Sequence, residues 1–209
     1  MDTVKIDIEL LEGAKSPSYA NFHDAGADVY AAQDLVIRPM EKLVVPLNFK
    51  VALPVDVEMQ VRPRSGLSLK TSLSIPNSPG TVDSGYRDVV GVIVQNTYNI
   101  SNLPYEMLYD EDLKDRIQKD YHLLKASDSK EIFSTYSDKK NETAEVLNLF
   151  PFLILDKNNN PYGTLYFEKG TKIAQIVFNQ VVHAEFKETE NIESIGINRG
   201  GGFGSTGLK

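Results

Sequence analysis

Val4, Ile6, Ile8 and Leu10 alternate with Lys5, Asp7 and Glu9 at the start of the chain. A period of two is that of a strand with one face buried, so the pattern predicts that the chain opens in a sheet on a half-buried strand. Short runs of the same kind follow over 34–37, 43–45, 49–53, 57–61, 89–94, 173–178 and 181–186. They are separated by turn formers at Arg38-Pro39, Pro54, Pro63, Asn77-Ser78-Pro79-Gly80 and Lys169-Gly170. Many short strands, frequent turns and no internal repeat predict an all-β fold, an antiparallel sandwich, jelly roll or barrel.

The stretch from 101 to about 165 has a different pattern. Leu113, Ile117, Tyr121 and Leu124 recur at spacings of 4, 4 and 3 behind Asp110, Glu111 and Asp112, which predicts an amphipathic helix with negative charge at its N-terminus. Further short helices are expected over 127–137 and 142–149, and a hairpin joining 152–155 to 164–167 around the Asn158 to Gly163 turn. Between 101 and 160 there are 12 acidic and 8 basic residues, a local balance of −4. The expected organisation is a β-core over 1–100, a partly helical insertion over 101–165, the rest of the β-core over 166–197 and a flexible glycine-rich C-terminal arm over 198–209.

Composition narrows the chemistry. The 209 residues carry a net charge of −7, which argues against a duplex nucleic-acid binder needing a broad basic face. No cysteine is present, so disulfides, thiolate metal sites and cysteine nucleophiles are excluded, and His23, His122 and His183 are too scattered to suggest a zinc centre. No apolar run is long enough to span a bilayer and the N-terminus lacks a secretory pattern, so a cytoplasmic location is expected.

Five polar constellations remain. Asp24-Ala25-Gly26-Ala27-Asp28-Val29 places two acids around a glycine. Arg62-Pro63-Arg64-Ser65-Gly66 ends a strand at a turn, where Ser65 can offer a hydroxyl and an N–H; a plain solvent-facing turn is an equally good reading of it. In the stretch from Asn77 through Gly80, Val82 and Asp83 to Tyr86-Arg87, two close turns predict a tight hairpin whose Asp83 is either a turn former or a general base. Gln175, in the apolar strand after Lys169-Gly170-Thr171-Lys172, is either a structural amide or a ligand contact. In the tail from Arg199 to Gly207, five of nine residues are glycine. Such a tail is flexible by itself, yet its backbone, Arg199, Gly204, Ser205 and Thr206 suit a polyphosphate, and Phe203 suits a nucleobase.

Taken in order, these stretches resemble the five sequence motifs of the homotrimeric dUTPases: Ala25 to Val29, Pro63 to Gly66, Gly80 to Arg87, Gly170 to Gln175 and the Arg199 tail. The tail has three glycines between Arg199 and Phe203, one position fewer than the family pattern, and Asp88 stands where glycine is usual. The insertion resembles the extra segment of phage-encoded members.

The resemblance implies a jelly-roll subunit, a homotrimer with shared active sites, and hydrolysis of dUTP to dUMP and pyrophosphate. In that reading Asp83 activates the water. Arg64, Ser65, Gly66 and Gln175 contact the α- and β-phosphate region, and Arg199, Gly204, Ser205 and Thr206 the terminal phosphates. Asn77, Gly80 and Val82 frame the uracil slot, Tyr86 lies under the sugar and Phe203 stacks on the base. Mg2+ is held chiefly by phosphates and waters, with Asp28 as an outer-shell anchor. For the insertion two readings stand: a surface elaboration that only packs on the sandwich, or, as the resemblance to phage members implies, a module that binds a repressor protein. The alternatives are a mainly regulatory repressor-binding protein with incidental hydrolysis, or a relative of the dCTP deaminases.

Overall fold

Over Val57–Arg62 the apolar positions Val57, Met59 and Val61 are buried while Glu58, Gln60 and Arg62 are half-exposed, so a strict period of two becomes one core-facing surface. A computed structural model of the chain describes residues 3–125, 152–198 and 200. Its strands are β1 (Asp7–Leu10), β2 (Ala27–Tyr30), β3 (Leu35–Ile37), β4 (Lys42–Pro46), β5 (Phe49–Ala52), β6 (Val57–Arg62), β7 (Leu73–Ser74), β8 (Gly80–Val82), β9 (Gly91–Asn96), β10 (Tyr121–Lys125), β11 (Phe152–Asp156), β12 (Leu165–Phe167) and β13 (Lys172–Gln180). Three α-helices are described: α1 (Ser65–Lys70), α2 (Leu103–Tyr109) and α3 (Leu113–Asp120).

One sheet runs β2-β13-β6-β8 and another β4-β9-β7, with the two-stranded ribbons β1-β5, β3-β12 and β10-β11 beside them; every pairing is antiparallel. Val29, Met59, Val61, Ile173 and Ile176 of the first sheet form one core cluster with Val45, Val92 and Val94 of the second and with Phe49 and Ile37. Burying each such side chain contributes about 1.5–3 kcal/mol before the entropy of ordering is set against it. This is the jelly-roll sandwich the pattern predicted.

Asn96 is a polar exception in that core, with 0% exposure. Its Nδ2 donates to the carbonyls of Ile37 (2.9 Å) and Gly163 (2.8 Å), and its Oδ1 accepts from the Ser72 hydroxyl (2.6 Å) and the Tyr98 N–H (3.0 Å). One amide thus ties four segments together, and a buried amide costs nothing like its desolvation penalty when every group is met.

Several expectations are corrected. Within 1–10 the strand is Asp7–Leu10, and all four of its positions are exposed: β1 pairs with β5, whose Phe49 and Val51 turn into the core, and only Ile6, just ahead of β1, packs partly on that core. The expected helix through Tyr121 and Leu124 stops at Asp120, and Tyr121–Lys125 becomes strand β10. The expected 152–155 to 164–167 hairpin does not form: β11 pairs with β10 and β12 pairs with β3. The run 181–186 is no separate strand. β13 ends at Gln180, and Val182 (91%) and Phe186 (94%) stand in solvent. The short helices expected over 127–137 and 142–149 lie outside the described residues.

Candidate functional site

β13 lies between β2 and β6, and its register sets Gln175 opposite Asp28 on one side and opposite Arg62 on the other. Cross-strand partners share a face, so three polar side chains stand in a row across the sheet. Lys172 opens the same strand opposite Tyr30, and a register shift lies between it and Ala174. Arg64 follows Pro63 in extended conformation at the N-cap of α1 and reaches back over β13.

The contacts there are short and charged. The Arg64 Nε donates to Asp28 Oδ1 (2.7 Å), the Arg64 Nη1 donates to the Lys172 carbonyl (3.1 Å), and the Lys172 ammonium meets Asp28 Oδ2 at 2.7 Å. Asp28 is nearly enclosed, its side chain 12% exposed. Burial alone pushes its carboxyl up; Lys172 and Arg64 outweigh that and hold it below its ordinary value. The three formal charges sum to one positive, so the cluster suits an anion.

Gln175 donates from Nε2 to the Pro63 carbonyl (2.8 Å), and its Oε1 lies across the α-carbon of Gly26: a Cβ there would stand 2.2 Å from it. Gly26 is therefore a close-approach glycine. The same device recurs at Gly80, where a Cβ would stand 2.9 Å from the Asn77 Nδ2. Ser65 and Gly66 do not form the expected bend. They open helix α1, exposed, and Gly66 has nothing within 4 Å of a Cβ position.

The residues from Asn77 to Tyr86 do not form the predicted hairpin either. β8 pairs with β6 in one sheet and β9 pairs with β4 and β7 in the other, so the segment between them crosses from layer to layer. Val82 packs on the core, and Asn77 and Asp83 are exposed. The Tyr86 N–H donates to the Asp83 carbonyl (3.0 Å), and the Tyr86 hydroxyl donates to the Val89 carbonyl (2.9 Å). Arg87 staples this turn through the carbonyls of Ser84 and Tyr86.

These residues form two groups, not one. Val82 lies opposite Met59, which places Asp83 level with Glu58, at the far end of β6 from Arg64. At about 3.3 Å per strand residue their backbones stand roughly 20 Å apart. The Arg64 guanidinium is also turned toward β13 and β2, on the side of β6 away from β8. Arg199, Phe203, Gly204, Ser205 and Thr206 lie outside the described residues. Lys172 joins the Asp28–Arg64 cluster although it was not singled out from the sequence, where the clue to it is a cation two residues past Gly170. Among the described residues no three His, Asp or Glu side chains gather closely enough to hold a metal ion, and no helix is long and apolar enough to cross a membrane.

The family model described as dUTPase matches residues 12–101 and 158–207, leaving most of the insertion outside it. The deoxyuridine 5'-triphosphate nucleotidohydrolase of Wolbachia pipientis from Culex pipiens is 44% identical over 111 residues, which are 51% of this chain and 71% of that one. The dUTPase of Staphylococcus bacteriophage 80alpha, solved with dUpNHpp, superposes with a TM-score of 0.66 at 23% identity over 99% of this chain and all of that one. A phage phi11 dUTPase, described as coordinating a structural Mg(II) ion, superposes with a TM-score of 0.61 at 23% identity, over 91% of this chain and 100% of that one. The two-sheet sandwich, the cationic cluster on β2 and β13 and the Asp83 turn all fall within the matched segments, and with them the chain belongs to the dUTPase family.

Proposed function

We propose that this chain hydrolyses dUTP to dUMP and pyrophosphate in a homotrimer whose active sites are shared between subunits. The observation that carries the reading is the separation of the two polar groups. A water-activating carboxylate must come within hydrogen-bond reach of a water in line with the reacting phosphorus. Asp83 and the Asp28–Arg64–Lys172–Gln175 cluster of one chain are too far apart to act on one phosphate. A neighbouring copy that presents its Asp83 turn to this cluster completes the site.

In that arrangement Asp83, exposed and without a side-chain partner among the described residues, accepts the proton of the attacking water. Arg64 and Gln175 take the α- and β-phosphate oxygens, with Ser65 and Gly66 opening the helix beside them, and the charge that develops there meets a preorganised cation. Asn77, Gly80 and Val82 frame the base, where the Asn77 amide sits against Gly80 with no room for added bulk. Tyr86 supports the sugar. Arg199, Phe203, Gly204, Ser205 and Thr206 supply the closing arm from another subunit.

The donor set suits a magnesium ion that arrives with the substrate rather than one caged by protein. Asp28 has a carboxylate lone pair left on each oxygen beyond those facing Arg64 and Lys172, enough to accept from metal-bound water. When bound, Mg2+ neutralises charge on the phosphate chain. The domain division into a β-core over 1–100 and 166–197, an insertion and an arm fits this assignment.

A second role, binding a repressor protein through 101–165, is favoured by the exposed Tyr105, Leu108 and Tyr109 of α2, which present apolar surface next to Asp110, Glu111 and Asp112. Deleting the insertion and rejoining the core tests it; unchanged repressor binding overturns it.

The enzyme reading is tested by pyrophosphate release from dUTP, dCTP, dTTP and UTP with magnesium. Selective turnover of dUTP that is lost in Asp83→Asn supports it. Equal turnover of all four, or full activity in Asp83→Asn, refutes it, and ammonia release from dCTP would point to the deaminase alternative.

A further inference from the structure

Arg64 and Asp28 side by side would ordinarily form a fork-to-fork pair, two parallel N–H···O bonds that occupy both carboxylate oxygens and one edge of the guanidinium. Here they do not. Arg64 gives Asp28 its Nε alone, because the second oxygen is held by the Lys172 ammonium at 2.7 Å. The Lys172 carbonyl accepts from Nη1 at 3.1 Å and fixes the guanidinium from a second direction. One proton on Nη1 and both on Nη2 stay uncommitted among the described residues.

We propose that Lys172 is a positioning residue for phosphate recognition: by occupying one oxygen of Asp28 it keeps Arg64 from pairing with both, and so keeps the outer edge of the guanidinium free for the substrate. This inference rests on the dUTPase reading of the same site. Its electrostatic consequence follows from counting charges. With Lys172 the cluster is net positive, whereas Asp28 and Arg64 alone are neutral, and a neutral pair attracts a triphosphate far less. The Lys172 side chain is 41% exposed and that of Arg64 31%, so the cluster is open to an anion while Asp28 beneath it is not.

In Lys172→Met the freed oxygen of Asp28 turns onto the Arg64 Nη2. The expected result is a KM for dUTP about tenfold higher, the loss of one charge-assisted donor arrangement, with kcat within about twofold of wild type. Lys172→Arg restores the KM, because a guanidinium can also hold that oxygen. A merely structural role would instead lower kcat through the folded fraction and leave KM in place. In an Arg64→Met background, Lys172→Met raises KM by no more than about threefold, the share owed to its charge alone, since there is no guanidinium left to position.

An unchanged KM in Lys172→Met, in a protein whose wild type cleaves dUTP, overturns the inference. A full tenfold effect that persists in the Arg64→Met background also overturns it, because Lys172 would then meet the substrate itself. Failure of the wild type to turn over dUTP would refute the underlying function and is distinguishable from both.

Discussion

Gly26→Ala isolates one contact of the site. Gly26 has no left-handed backbone conformation to protect, so the substitution adds a methyl group and little else. That methyl would lie 2.2 Å from the Gln175 Oε1 and 3.0 Å from its Cδ, where ordinary contact begins near 3.4 Å. The amide must move by roughly 1 Å or more, and because it is the free end of a flexible side chain it can. Moving it breaks the 2.8 Å bond from Nε2 to the Pro63 carbonyl. An exposed hydrogen bond of this kind contributes at most about 1 kcal/mol, which for a chain of this size lowers Tm by no more than about 2–4 °C. The fold survives while Gln175 is displaced from the Arg64 cluster. Steady-state kinetics should then show KM for dUTP up by about fivefold, matching Gln175→Ala, and the double variant should be no worse than Gln175→Ala alone. A Gly26→Ala enzyme with wild-type KM, or a double variant in which the two losses simply add, would show that the glycine does not act through Gln175.

Gly66→Ala fills open space at the second residue of α1, so stability should rise by about 0.5–1 kcal/mol of helix propensity, a Tm gain of about 1–4 °C, while KM rises if a phosphate approaches that backbone; a more stable enzyme with unchanged KM removes Gly66 from the binding set. The Asp28 carboxyl is raised by burial but lowered further by Lys172 and Arg64, so its folded pKa lies below the unfolded value of about 3.9. Its stabilisation is present above that pH and is lost as pH falls through the folded value; the acid limb of a Tm-versus-pH curve should be shallower in Asp28→Asn, and coincident limbs would count against the ion cluster. Asn96→Ala strands the Ile37 and Gly163 carbonyls, the Tyr98 N–H and the Ser72 hydroxyl, and should cost about 3–5 kcal/mol in chemical denaturation; a loss under about 1 kcal/mol would mean that water replaces the amide.

The strands were legible because burial on one face imposes a period of two, and β4, β5, β6 and β9 stand within two residues of their expected bounds. The same logic misled at β1 and at 181–186, because alternation in the sequence does not show whether a strand's apolar face reaches the core. β1 alternates like a half-buried strand yet is exposed throughout, and the apolar residues 181–186 read as a strand but extend into solvent. The helical period of Leu113, Ile117 and Tyr121 was carried past Asp120 because four-residue spacing cannot reveal that Tyr121 finds an antiparallel partner in Asp156.

Residue types and motif order alone determined the family, the β-rich class and most of the polar groups, since each motif needs only local chemistry: a glycine, an acid, a guanidinium at fixed spacing. Which of those groups meet was decided by tertiary structure. Strand register set Gln175 beside Asp28 and Arg62, and sheet order put Asp83 at the other end of β6 from Arg64, on the opposite side of that strand from β13. Lys172 joined the cluster through an ion pair between residues 144 positions apart, a contact made by chain folding that no local pattern encodes.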